Sequence, residues 1–222
     1  MKVLTLNTHS WMEEHPEEKF EQLAEVILKE EYDVIALQEV NQGIKSEPGI
    51  VGDLYCPATD MVIHEDNFVL RLVDYLAAND VEYYWTWTFC HIGYQKFHEG
   101  LALLSKNPIL PKDYLVSQFD GAEDHRRRPL LTGVTEIAGQ MVRVCSVHYS
   151  WWSQEGFVTE WQNTVAVLKD SPYPLLVMGD FNNPEGTEGY QLVIASELGL
   201  MDTFVTSEKQ IGSYTVSKAI DG

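Results

Sequence analysis

The sequence predicts a layered α/β fold. Three observations carry that expectation: apolar, strand-like runs that each end in polar residues, amphipathic helical periodicities between those runs, and a hairpin signature at Ile137-Ala138-Gly139-Gln140-Met141. The 222 residues, 45% of them hydrophobic, are enough to bury one large core, so a single domain spanning 1–222 is expected.

The elements follow in chain order. Lys2-Val3-Leu4-Thr5-Leu6 reads as a strand that ends in Asn7. A helix starts near Pro16, with Glu17 and Glu18 in its first turn and Phe20, Leu23, Ala24 and Ile27 on one face. Asp33-Val34-Ile35-Ala36-Leu37 is a second strand, running into Gln38-Glu39. Residues 42–67 mix turn formers, among them Pro48, Gly49, Gly52 and Pro57, and read as a long active-site loop. A second helix follows Asn67, with Val69, Leu72, Val73 and Leu76 inward. Aromatics alternate with a threonine in Tyr83-Tyr84-Trp85-Thr86-Trp87, the pattern of a packed strand, and that segment is given no ligand role.

Val142-Arg143-Val144-Cys145-Ser146-Val147 then leads into His148, and a third helix carries Val158, Trp161, Val165 and Leu168. Leu175-Leu176-Val177-Met178 is an apolar run handing over to Gly179-Asp180-Phe181-Asn182-Asn183. An extended chain through Phe181 would put the Asp180 carboxylate and the Asn182 amide on one face, a pairing suited to phosphate-ester chemistry. A fourth helix starts after Thr187, its cap, and Gly199 is expected to end it in the left-handed conformation.

These strand-end residues, in this order, resemble the endonuclease/exonuclease/phosphatase superfamily, which includes pancreatic-type deoxyribonucleases, abasic-site endonucleases, inositol-polyphosphate phosphatases and neutral sphingomyelinases. The resemblance rests on Leu37-Gln38-Glu39-Val40 and Gly179-Asp180-Phe181-Asn182, supported by Leu6-Asn7, Glu99-Gly100-Leu101-Ala102-Leu103-Leu104-Ser105 and Ser146-Val147-His148. It implies an α/β sandwich of four layers: two packed, mostly antiparallel sheets with helices outside.

The resemblance also assigns roles. Glu39 would bind an essential divalent cation, Mg²⁺ or Mn²⁺, with Asn7 beside it; on pattern alone Glu39 is a solvated rim carboxylate and Asn7 a turn residue. His148 would contact the scissile phosphate, with Glu99 hydrogen-bonded to its other ring nitrogen; read without the resemblance, they are a structural histidine and a surface charge. Asp180 would orient or deprotonate the attacking water, and Asn182 would hold its geometry or a phosphate oxygen. His9 and Ser10 receive no role.

One departure from the family stands out. The family's last two strands carry an aspartate and then an Asp-His pair, and no histidine follows Asp180 here, while Asp124-His125 lies in the wrong place to substitute. Because a lost terminal strand would leave an open sheet edge, the C-terminal strands are read as missing from an incomplete record rather than naturally lost; without the Asp and Asp-His residues, the chain as written is expected to be inactive or severely impaired. Gly212-Ser213-Tyr214-Thr215-Val216 reads as a last strand-like segment.

A formal charge of −19 disfavours duplex nucleic acid, whose binding relies on many Lys and Arg contacts to phosphates. The one concentrated basic cluster, Arg126-Arg127-Arg128, is either an anion clamp, with Arg128 nearest the following strand, or a solvated loop. Trp151, in Tyr149-Ser150-Trp151-Trp152, either stacks on a base, sugar or choline group or simply covers a helix. Cys56, Cys90 and Cys145 form neither a disulfide framework nor a metal spacing and are read as reduced structural thiols. Without a signal peptide pattern or a membrane-length apolar run, a cytoplasmic location is expected. A phosphate-ester substrate is the expected partner; a nuclease and a non-catalytic phosphate-binding relative are the alternatives.

Overall fold

A computed structural model describes residues 1–152, 156–213 and 215. The first sheet contains β1 (Val3–Asn7), β2 (Val34–Gln38), β3 (Gln42–Gly43), β4 (Tyr84–Gly93) and β5 (Phe97–Ser105); the second contains β6 (Leu110–Leu115), β7 (Pro129–Ile137), β8 (Gln140–His148) and β9 (Leu175–Asp180). Within the first sheet β1 pairs with β2, β2 with β5, and β5 also with β3 and β4; the second runs β6-β7-β8-β9. The β1–β2 and β8–β9 pairs are parallel and the other five antiparallel, so both sheets are mixed and mostly antiparallel.

Three cores separate four layers. Helices α1 (Pro16–Glu30) and α2 (Phe68–Ala77) bury Phe20, Ile27, Leu72 and Leu76 against Ile35, Leu37, Trp85 and Trp87. Between the sheets, Val34, Ala36, Leu101 and Leu103 meet Leu131 and Val144. Helix α3 (Phe157–Leu168) covers the second sheet through Trp161 and Leu168 against Cys145 and Val147. Every residue of β2 is buried because Ile35 and Leu37 face one core and Val34 and Ala36 the other, which is why its sequence is an unbroken apolar run.

Local chemistry sets the ends of these elements. Asn67 caps α2 by accepting from Val69 N and Leu70 N, and Thr187 caps α4 (Glu188–Ile194) by accepting from Tyr190 N. The β7–β8 hairpin turns on Ala138 and Gly139, both with positive φ. Gly199 is left-handed, with φ +64°, but α4 has already ended at Ala195; the glycine closes a turn accepted by Ser196 O rather than the helix itself.

Residues 42–67 form a packed loop. At its middle Cys56 N donates to Trp85 O, six residues along β4 from His91 and therefore about 20 Å from it by strand rise. That part of the loop belongs to the far end of the first sheet. Of the strand-like segment expected at 212–216, Gly212, Ser213 and Thr215 are described and none lies in a strand, Gly212 having a left-handed φ of 82°; Tyr214 and Val216 lie outside the described residues. Among the described residues no helix is long and apolar enough to cross a membrane.

Candidate active site

Strand polarity brings the polar residues together. The parallel pairs align Asn7 with Gln38 and His148 with Asp180, so four strand ends deliver side chains to one rim. β5 runs antiparallel to β2, with Leu37 opposite Ala102, which carries Glu99 past the end of β2; β4 returns beside it with His91 opposite Glu99. Arg128 immediately precedes β7 and is level with the end of β8. Beneath the rim, Gln38 Nε2 donates to Ser146 Oγ at 3.1 Å and Ser146 Oγ donates to Leu37 O at 3.2 Å, tying the two sheets together.

Asn7 is the hub. Its Nδ2 donates to Glu39 Oε1 at 2.8 Å and to Asp180 Oδ2 at 3.1 Å, while its Oδ1 accepts from His9 N at 3.1 Å. Asn7 thus orients two carboxylates through its NH₂ group, while its oxygen accepts from the backbone. Glu39 follows β2 in a left-handed conformation, φ 54°, which swings its carboxylate back toward Asn7. Gly179, φ +145°, lets β9 approach β8 so closely that a Cβ there would stand 2.0 Å from Val147 O. No other residue can occupy that position without moving Asp180.

Asn182 does not share a strand face with Asp180. The strand stops at Asp180, whose Oδ1 accepts from Asn182 N at 3.0 Å, and this side-chain turn puts Asn182 at φ 51°. Asn182 Nδ2 donates to Tyr149 O at 2.8 Å, fixing the segment that follows His148.

The His148–Glu99 hydrogen bond expected from the resemblance is absent. Glu99 Oε1 lies 3.7 Å from His91 Nε2, and His148 Nε2 lies 3.9 Å from Asp180 Oδ2. The reason is a bulge in β4, where the register shifts between Phe89 and His91 and turns the His91 ring inward next to Glu99. Arg127 clamps that bulge, its Nη1 donating to Phe89 O at 2.8 Å and Cys90 O at 2.6 Å. Sequence reasoning missed His91 and Arg127.

Burial dominates the electrostatics. Burial, with the charge of Glu39 adding to it, pushes the Glu99 carboxyl up to about 8, while Arg128 opposes the shift. Burial first, then the neighbouring Arg128, brings His91 down to about 4 and holds His148 well below the usual imidazole range. Both imidazoles are therefore neutral at pH 7. His91, Glu99, Arg128 and His148 are 6%, 6%, 7% and 8% exposed, yet Arg128 Nε and Nη1, His91 Nδ1 and His148 Nδ1 are buried without a hydrogen-bond partner among the described residues. Unmade bonds of this kind are costly, and three such side chains within one cluster call for a partner.

The basic run divides its work. Arg126 pairs with Asp124 and lies 3.7 Å over the Phe119 ring, Arg127 holds the β4 bulge, and Arg128 alone enters the cluster. Trp151 is half-buried, and no ring pair or hydrogen bond ties it to the cluster among the described residues.

The donor set fits a hard, hydrated divalent cation. Neither Glu39 nor Asp180 pairs with a lysine or arginine among the described residues, and no group of three or more His, Cys, Asp or Glu there is arranged to hold a metal. Mg²⁺ and Mn²⁺, held by one or two carboxylates and several waters, need no such group, whereas a structural zinc site does.

The sequence profile of the Endonuclease/Exonuclease/phosphatase family matches residues 10–196. Comparison with curated proteins returned no match. Among solved structures, an endonuclease/exonuclease/phosphatase family protein from Leptotrichia buccalis C-1013-b is 30% identical, with a TM-score of 0.86 over 100% of this chain and 81% of that one. The human Nocturnin catalytic domain with bound sulfate anion is 18% identical, TM-score 0.60, over 92% of this chain and 73% of that one. Sphingomyelinase C from Streptomyces griseocarneus is 15% identical, TM-score 0.56, over 89% and 68%. The last two share the fold.

A four-layer sandwich with acidic strand ends gathered at one rim agrees with that family, whose members are generally hydrolytic phosphoesterases. The chain belongs to the Endonuclease/Exonuclease/phosphatase family.

Proposed function

We propose that the protein is a divalent-metal-dependent hydrolase of small phosphate esters, acting by in-line attack of water on phosphorus. The observation that carries this reading is the meeting of Glu39 and Asp180 on Asn7, with buried nitrogens of Arg128 and His148 that lack partners among the described residues nearby. A Mg²⁺ or Mn²⁺ ion held by Glu39 would supply positive charge to polarise the phosphoryl group and stabilise the departing oxygen. Asp180, one oxygen fixed by Asn182 N and the other by Asn7, orients the attacking water and accepts its proton. Arg128 and His148 donate to the charge that builds on the phosphoryl oxygens. Asn182 holds the His148–Tyr149 segment in place through Tyr149 O.

A small ester fits better than a long polyanion. With Arg126 paired to Asp124 and Arg127 bound to backbone carbonyls, the basic run offers the substrate one guanidinium, and the chain carries a formal charge of −19.

The test is Mg²⁺-dependent release of nitrophenolate from 4-nitrophenyl phosphate and from bis(4-nitrophenyl) phosphate. It is run on the 222-residue chain, on the chain continued through the family's Asp and Asp-His segment, and on Asp180→Ala versions of both. Hydrolysis that is abolished by chelation and by the substitution supports the reading and shows the ester class. Turnover indifferent to chelator, or no turnover of either ester by the well-folded continued chain, overturns it.

A further inference from the structure

The β4 bulge places in the site an imidazole to which the reaction above gives no task. His91 is 6% exposed and faces Glu99 through Nε2 at 3.7 Å, and its Nδ1 is buried with no partner among the described residues. Four groups are committed to this arrangement. The register shift at Cys90 turns the ring inward, Arg127 secures the bulge through two carbonyls, Ile92 N donates to Ala122 O at 2.6 Å just beyond it, and Glu99 stands opposite on β5. A histidine needed only for packing would be expected to satisfy both ring nitrogens or to leave one in water.

We propose that His91 is a second substrate-contacting imidazole, donating from Nδ1–H to a non-bridging oxygen of the phosphoryl group that Arg128 and His148 also bind. The proposal rests on the phosphoesterase reading and deepens it. The backbone supports it, since Arg127, next to Arg128 in the chain, hydrogen-bonds Cys90 O, next to His91. The tautomer also agrees. The proton sits on Nδ1, the buried nitrogen without a partner, while Nε2 faces the Glu99 carboxyl at 3.7 Å. No proton changes hands: His91 binds and orients, and the phosphoryl oxygen accepts.

The experiment is a titration of ¹⁵N-histidine-labelled protein with inorganic phosphate, following the imidazole nitrogen signals, beside calorimetric phosphate affinities for wild type, His91→Ala and His91→Gln. The expected result is that the His91 and His148 signals move together and saturate at one phosphate concentration. His91→Ala should weaken phosphate binding about 10- to 100-fold, the loss of one hydrogen bond to a charged group, and glutamine should recover part of it. A His148 signal that moves while His91 stays still, or an unchanged affinity in His91→Ala, overturns the proposal and leaves the phosphoesterase reading standing. So does a wild type that hydrolyses aryl phosphates while its His91 signal ignores phosphate. If the continued chain neither binds phosphate nor hydrolyses either ester, both readings fall together. Because the nuclear resonance measurement uses the unmutated protein, it decides the matter even where a variant folds poorly.

Discussion

Asn7 and Asp180, 173 positions apart in the chain, meet through a 3.1 Å hydrogen bond where the two sheets come together. The same amide group holds Glu39 at 2.8 Å, so one NH₂ sets the separation of the two carboxylates on which metal binding and water activation would depend. Asn7→Ala is expected to lower turnover of an aryl phosphate about 100-fold, as losing one well-placed donor typically does. Denaturation midpoints should change little, because both carboxylates are partly exposed and rehydrate. A variant that turns over at the wild-type rate would remove Asn7 from the machinery.

Arg127 gives a stability prediction. Its guanidinium donates to two carbonyls of the β4 bulge and lies 5.2 Å over the Phe89 ring. Arg127→Ala should cost about 1.5–3 kcal/mol in urea denaturation, the range for hydrogen bonds to a charged group. Phosphate affinity should fall as well, because the bulge directs His91; a loss of stability with affinity unchanged would separate the two roles.

Glu99 sets a pH dependence. Its carboxyl is pushed from an ordinary 4.5 up to about 8, chiefly by burial, so between those values the folded state binds more proton than the unfolded one. Stability contributed by this group is complete below 4.5 and is lost as pH rises through 8. His91, brought from 6.5 down to about 4, acts in the opposite sense but only below 6.5. Urea denaturation in chelator should therefore show stability falling from pH 6.5 to 8, with Glu99 contributing a slope of up to about 1.4 kcal/mol per pH unit. Glu99→Gln should flatten the curve in that interval; an equally steep curve would show that Glu99 titrates normally.

The rim of the site was legible because strand ends announce themselves. An apolar run that stops at Asn7, Glu39, His148 or Asp180 needs only the correct strand directions to place those residues side by side, and the parallel pairs supply them. What could not be read is where local backbone departs from its element. The spacing of Asp180 and Asn182 presumed two more extended residues, but a side-chain turn ends the strand first. His91 was hidden in an aromatic strand because the bulge at Cys90 breaks the period-2 pattern that would have assigned its face. A signal did exist: a hairpin turning at Tyr94–Gln95 brings His91 opposite Glu99. The arginine run offered Arg128 as the clamp without saying what its neighbours do; tertiary contacts engage Arg126 and Arg127 and leave buried nitrogens of Arg128 without a partner among the described residues.

The thiols offer an independent check on packing. Cys90 and Cys145 are 1% and 0% exposed, and burial drives both thiols upward, Cys145 to about 12, whereas Cys56 is half-buried at a loop. Since the thiolate is the reactive form, a disulfide reagent at pH 8 should titrate one thiol in the native protein and three in urea. Rapid native reaction of two or more would contradict the three-core packing.

The hydrolytic centre is tested most directly by following Mn²⁺ binding, through its electron paramagnetic resonance signal, together with aryl-ester turnover in the same samples of wild type and Glu39→Gln. The account predicts that the chain continued through the family's Asp and Asp-His segment binds the ion and hydrolyses the ester, and that Glu39→Gln in it loses both while keeping its fold. A Glu39→Gln protein that binds Mn²⁺ as tightly as wild type and turns over ester at the same rate would contradict it.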